Sequence, residues 1–265
     1  MTDAATRLAD VNEGIARAAK AARRSPDEVA LIAVTKKRDT ADIEALIAAG
    51  VTDFGENRVA EAAEKWSTLR AEHPGLKLHM IGQLQSNKAA DAVTLFDVIH
   101  SLDRPSLLNA LAAAGEKAGR FPAVYVQVNI GAEEQKGGIA IDELQPLLGA
   151  VRASPLPLAG LMGMPPLDRQ PGPYFALLAE LARRHGVNGL SMGMSGDYPT
   201  AVMLGATAVR ALAPPSSKTN RGARCACASW QDIRHYGDWS ACDARRVRRC
   251  RFPHAPDPRL CWDCW

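Results

Sequence analysis

Short runs that are apolar on both faces alternate with segments of helical spacing from residue 29 to residue 210. The runs at 29–36 (VALIAVTK), 51–54, 77–82, 96–101, 123–131 (AVYVQVNIG), 156–164, 188–194 and 206–210 read as strands. Between them, 40–50, 57–72, 85–93, 104–119, 140–154, 173–186 and 197–205 carry the period of helices. Local signals agree: Thr40 as a cap, Gly50 as a stop and Pro105 in a first turn, with Pro146 interrupting the sixth helix. A strand apolar on both faces must be covered on both, which requires a parallel sheet dressed with helices. That pattern closes either as an open doubly wound sheet or as an α/β (β/α)8 TIM-like barrel. Eight runs within 265 residues favour the barrel. No glycine-rich dinucleotide fingerprint follows the first run, which weakens the open sheet. The eighth run, ATAVR, gives way at Arg210 to Ala-Leu-Ala-Pro-Pro, so the eighth strand is expected to be incomplete, leaving an open barrel edge.

The net charge of +3 conceals a division. Residues 211–265 hold ten Lys or Arg and five Asp, leaving the first 210 residues slightly acidic at −2. All six cysteines and four of the five tryptophans lie after residue 210, and that segment has no Glu. The expected organisation is therefore a barrel over 1–210 and an Arg/Cys/Trp-rich, disordered tail over 211–265. With no cysteine, residues 1–210 form no disulfide, as suits a reducing compartment. The N-terminus is an amphipathic helix pattern with Leu8, Val11, Ile15 and Ala18 on one stripe, without the apolar core of a signal peptide. No run approaches the ~18 apolar residues of a membrane span. The expected location is the cytoplasm, with no membrane partner.

In a (β/α)8 barrel, chemistry sits at the carboxyl ends of the strands. Lys36 ends the first run, Asn57 follows the second, Ser191 lies in the seventh with Ser195 directly after it (LSMGMS, 190–195), and Arg210 ends the eighth. A lysine in a crowded barrel mouth beside Lys37 is favoured in its neutral form, which attacks aldehydes; alternatively Lys36 reaches to solvent from a strand end. The Gly/Ser loop before the last helix is either a phosphate cradle or a plain loop capped by Ser195 or Asp197. Arg210 either neutralises a phosphate, holds a ring nitrogen, or is a solvated strand end. His79 and His100, inside strands, read as hydrogen-bonded structural residues. No Ser-His-Asp order, zinc-protease or Walker pattern occurs.

The segments LIAVTKK (31–37), DFGENRVAEAAEK (53–65), HMIGQLQSNK (79–88), IHSLDR (99–104), VQVNI (126–130), KGGI (136–139), GLMGM (160–164) and LSMGMSGDYPTAVMLGATAVR (190–210) occur in a fixed order. In this they resemble the pyridoxal phosphate homeostasis protein family, over about residues 5–210. The resemblance implies a barrel like the N-terminal domain of alanine racemase, with pyridoxal 5′-phosphate as cofactor, held as a Schiff base on Lys36. It implies a phosphate near Ser191, Ser195 and the loop after Arg210, with Asn57 also at the cofactor and Arg210 at the pyridine nitrogen. It implies a monomeric carrier or buffer in vitamin B6 homeostasis, not a catalyst, with pyridoxal-phosphate-dependent apoenzymes as recipients. The alternative is a racemase-like enzyme acting on amino acids. Such an enzyme needs a second base on the opposite face of the ring, and Tyr125, Tyr174 and Tyr198 have no evident reason to supply it.

The family continues after its Val-Arg with a pattern like x-Gly-Thr-Ala-[Ile/Leu]-Phe-Gly, which this chain lacks. If Ala211–Ser217 are encoded GCN-CTN-GCN-CCN-CCN-TCN-TCN, a frame beginning on each third base can encode Ser-Gly-Thr-Ala-Leu-Phe. The codon for Lys218 cannot supply the final Gly. A frameshift near Arg210 in a GC-rich gene accounts for the tail's composition. The rival is a real zinc or nucleic-acid module. Cys225, Cys227, Cys261 and Cys264 lack finger spacing, however, and the tail is too poor in Leu, Ile and Val for a core. Neither nucleic acid nor metal is expected as a partner.

Overall fold

The computed structural model describes residues 3–133 and 135–212; the tail from residue 213 lies outside the described residues. Eight parallel strands close in chain order into a barrel. They are β1 (Ala30–Val34), β2 (Asp53–Glu56), β3 (Lys77–Met80), β4 (Val98–Leu102), β5 (Ala123–Val128), β6 (Leu158–Gly163), β7 (Gly189–Met194) and β8 (Ala208–Leu212). Helix α1 (Asp3–Ala21) precedes the barrel. The crossovers carry α2 (Thr40–Ala48), α3 (Val59–Glu72), α4 (Ala89–Leu95), α5 (Pro105–Ala118), α6 (Leu144–Ala153), α7 (Gly172–Arg184) and α8 (Tyr198–Met203). None of the described helices is long and apolar enough to cross a membrane.

The sequence places every strand and helix, and the structure adjusts their ends. The cap of α2 is Asp39, one residue before Thr40; its carboxylate accepts the Asp42 N–H at 2.9 Å. Helix α6 begins at Leu144, four residues later than expected. Pro146 thereby falls on the third residue of the helix, where a missing N–H costs nothing, and it no longer interrupts.

The eighth strand corrects an expectation. It runs to Leu212 and pairs with β1 residue by residue, Ala208–Leu212 against Ala30–Val34. It also pairs with β7, Ser191 with Ala208 and Met194 with Arg210. The barrel is closed, with no open edge. The reason is that ladder hydrogen bonds are made by backbone groups, and Ala211 and Leu212 supply them as well as other non-proline residues would. The first prolines, Pro214 and Pro215, come after the ladder is complete.

Burial follows the two faces of each strand. Outward residues pack under the helices. The Phe54 ring lies 5.0 Å from that of Trp66 on α3, and both are buried. Each large apolar side chain removed from water contributes about 1.5–3 kcal/mol. The inward face is more polar. Asp53 and His79 reach inward from β2 and β3, His100 from β4, Ser191 from β7 and Arg210 from β8.

Candidate functional site

Four of the five expected site residues stand on the carboxyl rim of the barrel. Lys36 lies two residues past the end of β1, Asn57 directly after β2 and Ser195 directly after β7. Arg210 is the third residue of β8. Its strand neighbour Ala211 faces outward, onto a cavity it shares with Leu8 and Leu46 of α1 and α2. Alternation therefore turns Arg210 inward. Its Nη2 donates to the carbonyl of Gly163, the last residue of β6, at 3.4 Å. Ser191 is the exception, a fully buried third residue of β7, three positions below the rim.

Arg210 is 4 % exposed, and its Nε has no hydrogen-bond partner. Burial pulls its pKa down to about 10, against an opposing pull from Asp197. At neutral pH it is a buried cation, and among the described residues no carboxylate pairs with it. A buried unsatisfied donor on a charged group is costly to keep. In the middle of a barrel mouth it marks a place where an acceptor is wanted.

Of the two surroundings the sequence allows for Lys36, a crowded mouth or solvent, the structure has the second: the residue is exposed. The β1 ladder stops at Val34 and the chain turns through Lys37, whose φ of 59° is left-handed. What is fixed is the backbone on either side. The Thr35 hydroxyl donates to Glu56 Oε1 at 2.8 Å, and the Thr35 carbonyl accepts from Lys65 Nζ at 2.9 Å. The Lys37 N–H donates to Glu61 Oε1 at 2.6 Å. Burial pushes the Glu61 pKa up, but this bond and the Lys65 ammonium outweigh it and leave the carboxyl below its ordinary value.

Asn57 is half-buried against a close backbone approach. A Cβ on Gly82 would lie 2.2 Å from the Asn57 carbonyl oxygen, so only glycine lets the loop after β3 pass there. In the loop after β7, Asp197 stands at the cap position of α8 but makes no side-chain bond into the helix. Its carboxylate instead accepts the Met194 N–H at 2.5 Å and closes the loop on itself. Ser195 is exposed and borders the apolar cavity of about 280 Å³ that Ala211 lines outside the barrel.

Ser191 belongs to a buried chain of polar groups. Its hydroxyl lies 2.9 Å from His100 Nδ1, His100 Nε2 lies 2.9 Å from His79 Nδ1, and His79 Nε2 lies 3.0 Å from Asp53 Oδ1. With Asp53 ionised, one assignment satisfies every link. His79 donates to Asp53, His100 donates to His79, and Ser191 donates to His100. Burial pushes the Asp53 pKa up, but the bonds from His79 and Thr52 outweigh it and hold the carboxyl below its ordinary value. Burial, then the charges of His79 and Arg210, hold His100 well below 6.5, so this imidazole is neutral. Its ring stacks on Tyr125 at 4.5 Å and 13°, and burial raises the pKa of that phenol. The sequence identifies both histidines as hydrogen-bonded strand residues, as found. It does not reveal their link to Ser191, which lies 91 residues from His100. Glu56, a partner behind Lys36, carries only the weak signal of a carboxylate at a strand end, and Lys65 is one charge among several on α3.

A closed parallel barrel with a lysine after its first strand and an arginine in its eighth defines the class. The model of the alanine racemase N-terminal domain family matches residues 10–211. Within that class the chain belongs to the pyridoxal phosphate homeostasis proteins. It is 38 % identical over 197 residues to the pyridoxal phosphate homeostasis protein of Synechocystis, covering 70 % of this chain and 89 % of the relative. It is 41 % identical over 202 residues to that of Deinococcus radiodurans, covering 74 % and 93 %. Among solved structures, PipY of Synechococcus elongatus with pyridoxal phosphate bound superposes with a TM-score of 0.65 at 36 % identity, covering 75 % of this chain and 97 % of PipY.

Proposed function

We propose that this chain binds pyridoxal 5′-phosphate reversibly at the carboxyl rim, and that it serves vitamin B6 homeostasis as a carrier or buffer without catalytic turnover. The observation that carries the reading is Arg210, a buried guanidinium whose Nε–H lacks an acceptor. A pyridine nitrogen is an acceptor of the right kind. The homeostasis relatives and the pyridoxal phosphate bound in PipY support the same reading.

When bound, the cofactor supplies an aldehyde open to a primary amine. Lys36 is the amine that takes it. Its exposure keeps it accessible for capture and for release to a recipient apoenzyme. Asn57 and Ser195 flank the same rim, and Ser195 contributes to holding the phosphate. Ser191 acts from below, through His100, and its hydroxyl is committed there. Arg210 stays positive at neutral pH and opposes protonation of a ring nitrogen facing it. That weakens electron withdrawal by the ring, so these residues favour holding the cofactor over driving amino-acid chemistry. The racemase-like alternative has no comparable observation in its favour. The protein acts as a monomer in the cytoplasm on this reading, and the sequence after about Arg210, residues 211–265, is a frameshift product.

The test is to mix the protein with pyridoxal 5′-phosphate, record the visible spectrum, reduce with borohydride and map the modified peptide by mass. A new absorption band and a label on Lys36 are expected. A folded protein that takes no label overturns the proposal.

A further inference from the structure

Lys36 is exposed, yet the residues on both sides of it are held by α3 and β2. Glu56 is fully buried. Its Oε1 accepts from the Thr35 hydroxyl at 2.8 Å and from the Trp66 indole at 3.2 Å, and pairs with Lys65 Nζ at 2.7 Å. Lys65 has three ammonium protons and three acceptors: Glu56, Glu61 at 2.9 Å, and the Thr35 carbonyl at 2.9 Å. Glu61 in turn holds the Lys37 N–H. The Thr35 carbonyl also accepts the Arg38 N–H at 3.0 Å, closing the turn around Lys36.

Phe54, Trp66 and Leu69, all buried, already pack α3 on β2; of the network, the fold itself draws on Glu56, as acceptor for the Trp66 indole and the Thr35 hydroxyl. A buried ion pair is weak evidence for stability, because desolvation offsets much of its attraction. Lys65 and Glu61 hold the peptide units before and after one lysine, and Glu56 holds Lys65 and the Thr35 side chain in place. We propose that Glu56, Lys65 and Glu61 are positioning residues for Lys36. They fix the direction in which its side chain leaves the rim, so that Lys36 rather than Lys37 condenses with the aldehyde. This inference rests on the proposed function. In the condensation the neutral amine forms a carbon–nitrogen double bond and one water leaves, with no oxidant or reductant. Orientation of that kind acts on the rate and on which amine reacts, and leaves the intrinsic reactivity of the amine untouched.

The experiment compares the wild type with Glu56→Ala, Glu56→Gln and Glu61→Ala, using pyridoxal 5′-phosphate itself as probe. The readouts are the rate of the absorption change, the partition of borohydride-fixed label between Lys36 and Lys37, and the melting temperature. Glu61 is partly exposed, so Glu61→Ala folds even if Glu56→Ala does not. In both alanine variants label should move toward Lys37, and capture at Lys36 should slow by about tenfold. Glu56→Gln keeps an acceptor for Thr35 and Trp66 and should recover most of the selectivity for Lys36. Wild-type selectivity and rate in a folded Glu61→Ala protein would overturn the proposal. A wild type unlabelled at Lys36 would instead overturn the functional reading beneath it, and the two failures are told apart by the wild-type sample alone.

Discussion

Arg210→Met separates binding from stability. Arg210 is 4 % exposed, and the hydrogen bond of its guanidinium to Gly163 is long at 3.4 Å. Burial that lowers its pKa to about 10 implies a penalty on the charged form of about 3 kcal/mol. Methionine fills a similar volume and needs no partner, and replacing a poorly compensated buried charge by an apolar side chain is often stabilising by about 1–4 kcal/mol. Without cofactor, Arg210→Met should therefore be more stable than wild type by about 1–3 kcal/mol. In a barrel of this size that raises the melting temperature by about 2–4 °C per kcal/mol. Pyridoxal phosphate should reverse the order. A ligand adds stability in proportion to the logarithm of its concentration over Kd, and the variant has lost the donor that greets it. The assay is thermal and urea unfolding of both proteins over a series of cofactor concentrations at fixed salt. A variant less stable than wild type without cofactor, or one stabilised by cofactor as much as wild type, would refute the reasoning.

Four further outcomes are expected. His100 is held neutral well below 6.5, so the unfolded chain binds more protons below that pH and stability falls on acidification. Urea unfolding between pH 6.5 and pH 5 should lose up to about 1.4 kcal/mol per pH unit, in a window above the titration of Asp53 and Glu61, and a flat profile would contradict it. Gly82→Ala puts a Cβ 2.2 Å from the Asn57 carbonyl and should cost about 1–3 kcal/mol in unfolding experiments while weakening cofactor binding. Restoring the alternative frame after Arg210 replaces Leu212-Ala213-Pro214-Pro215 by Gly-Thr-Ala-Leu, which adds a threonine hydroxyl and two backbone N–H donors where the prolines have none, and should tighten binding by tenfold or more in a spectral titration, at about 1.5–3 kcal/mol per charge-assisted bond. Amino acids incubated with the loaded protein in heavy water should keep their α-protons by NMR, and rapid exchange would favour the racemase-like alternative.

The fold was legible because its signal is local and repeated. Eight apolar runs and the helices between them locate every element, with errors confined to the ends, as at Pro146 and Thr40. The eighth strand misled because its side chains depart from the family pattern, whereas pairing depends on backbone groups that Ala211 and Leu212 provide equally well. On the site, position in the strand order was enough to put Lys36, Asn57, Ser195 and Arg210 on one rim. It left open whether Lys36 is exposed, because exposure depends on where the β1 ladder stops. The bonds of Glu56 and Lys65 to Thr35 were out of reach for a different reason. They join residues 21 and 30 positions apart in the chain, and pattern reading within one element carries no information across that gap.

The chain from Asp53 through His79 and His100 to Ser191 draws one member from each of β2, β3, β4 and β7. A parallel barrel of near-equivalent βα units has an ambiguity of alignment, since apolar faces tolerate a neighbour that has slid along. Sliding any one of these strands by a single residue would turn its member out of the interior. Its buried partners among His79, His100 and Ser191 would then lose a mate with no water at hand, at about 1–3 kcal/mol each. Four polar side chains thus act as a gauge on the stagger of the barrel. The assembly has one setting in which all of them are matched, and that setting brings Lys36 and Arg210 to the same rim.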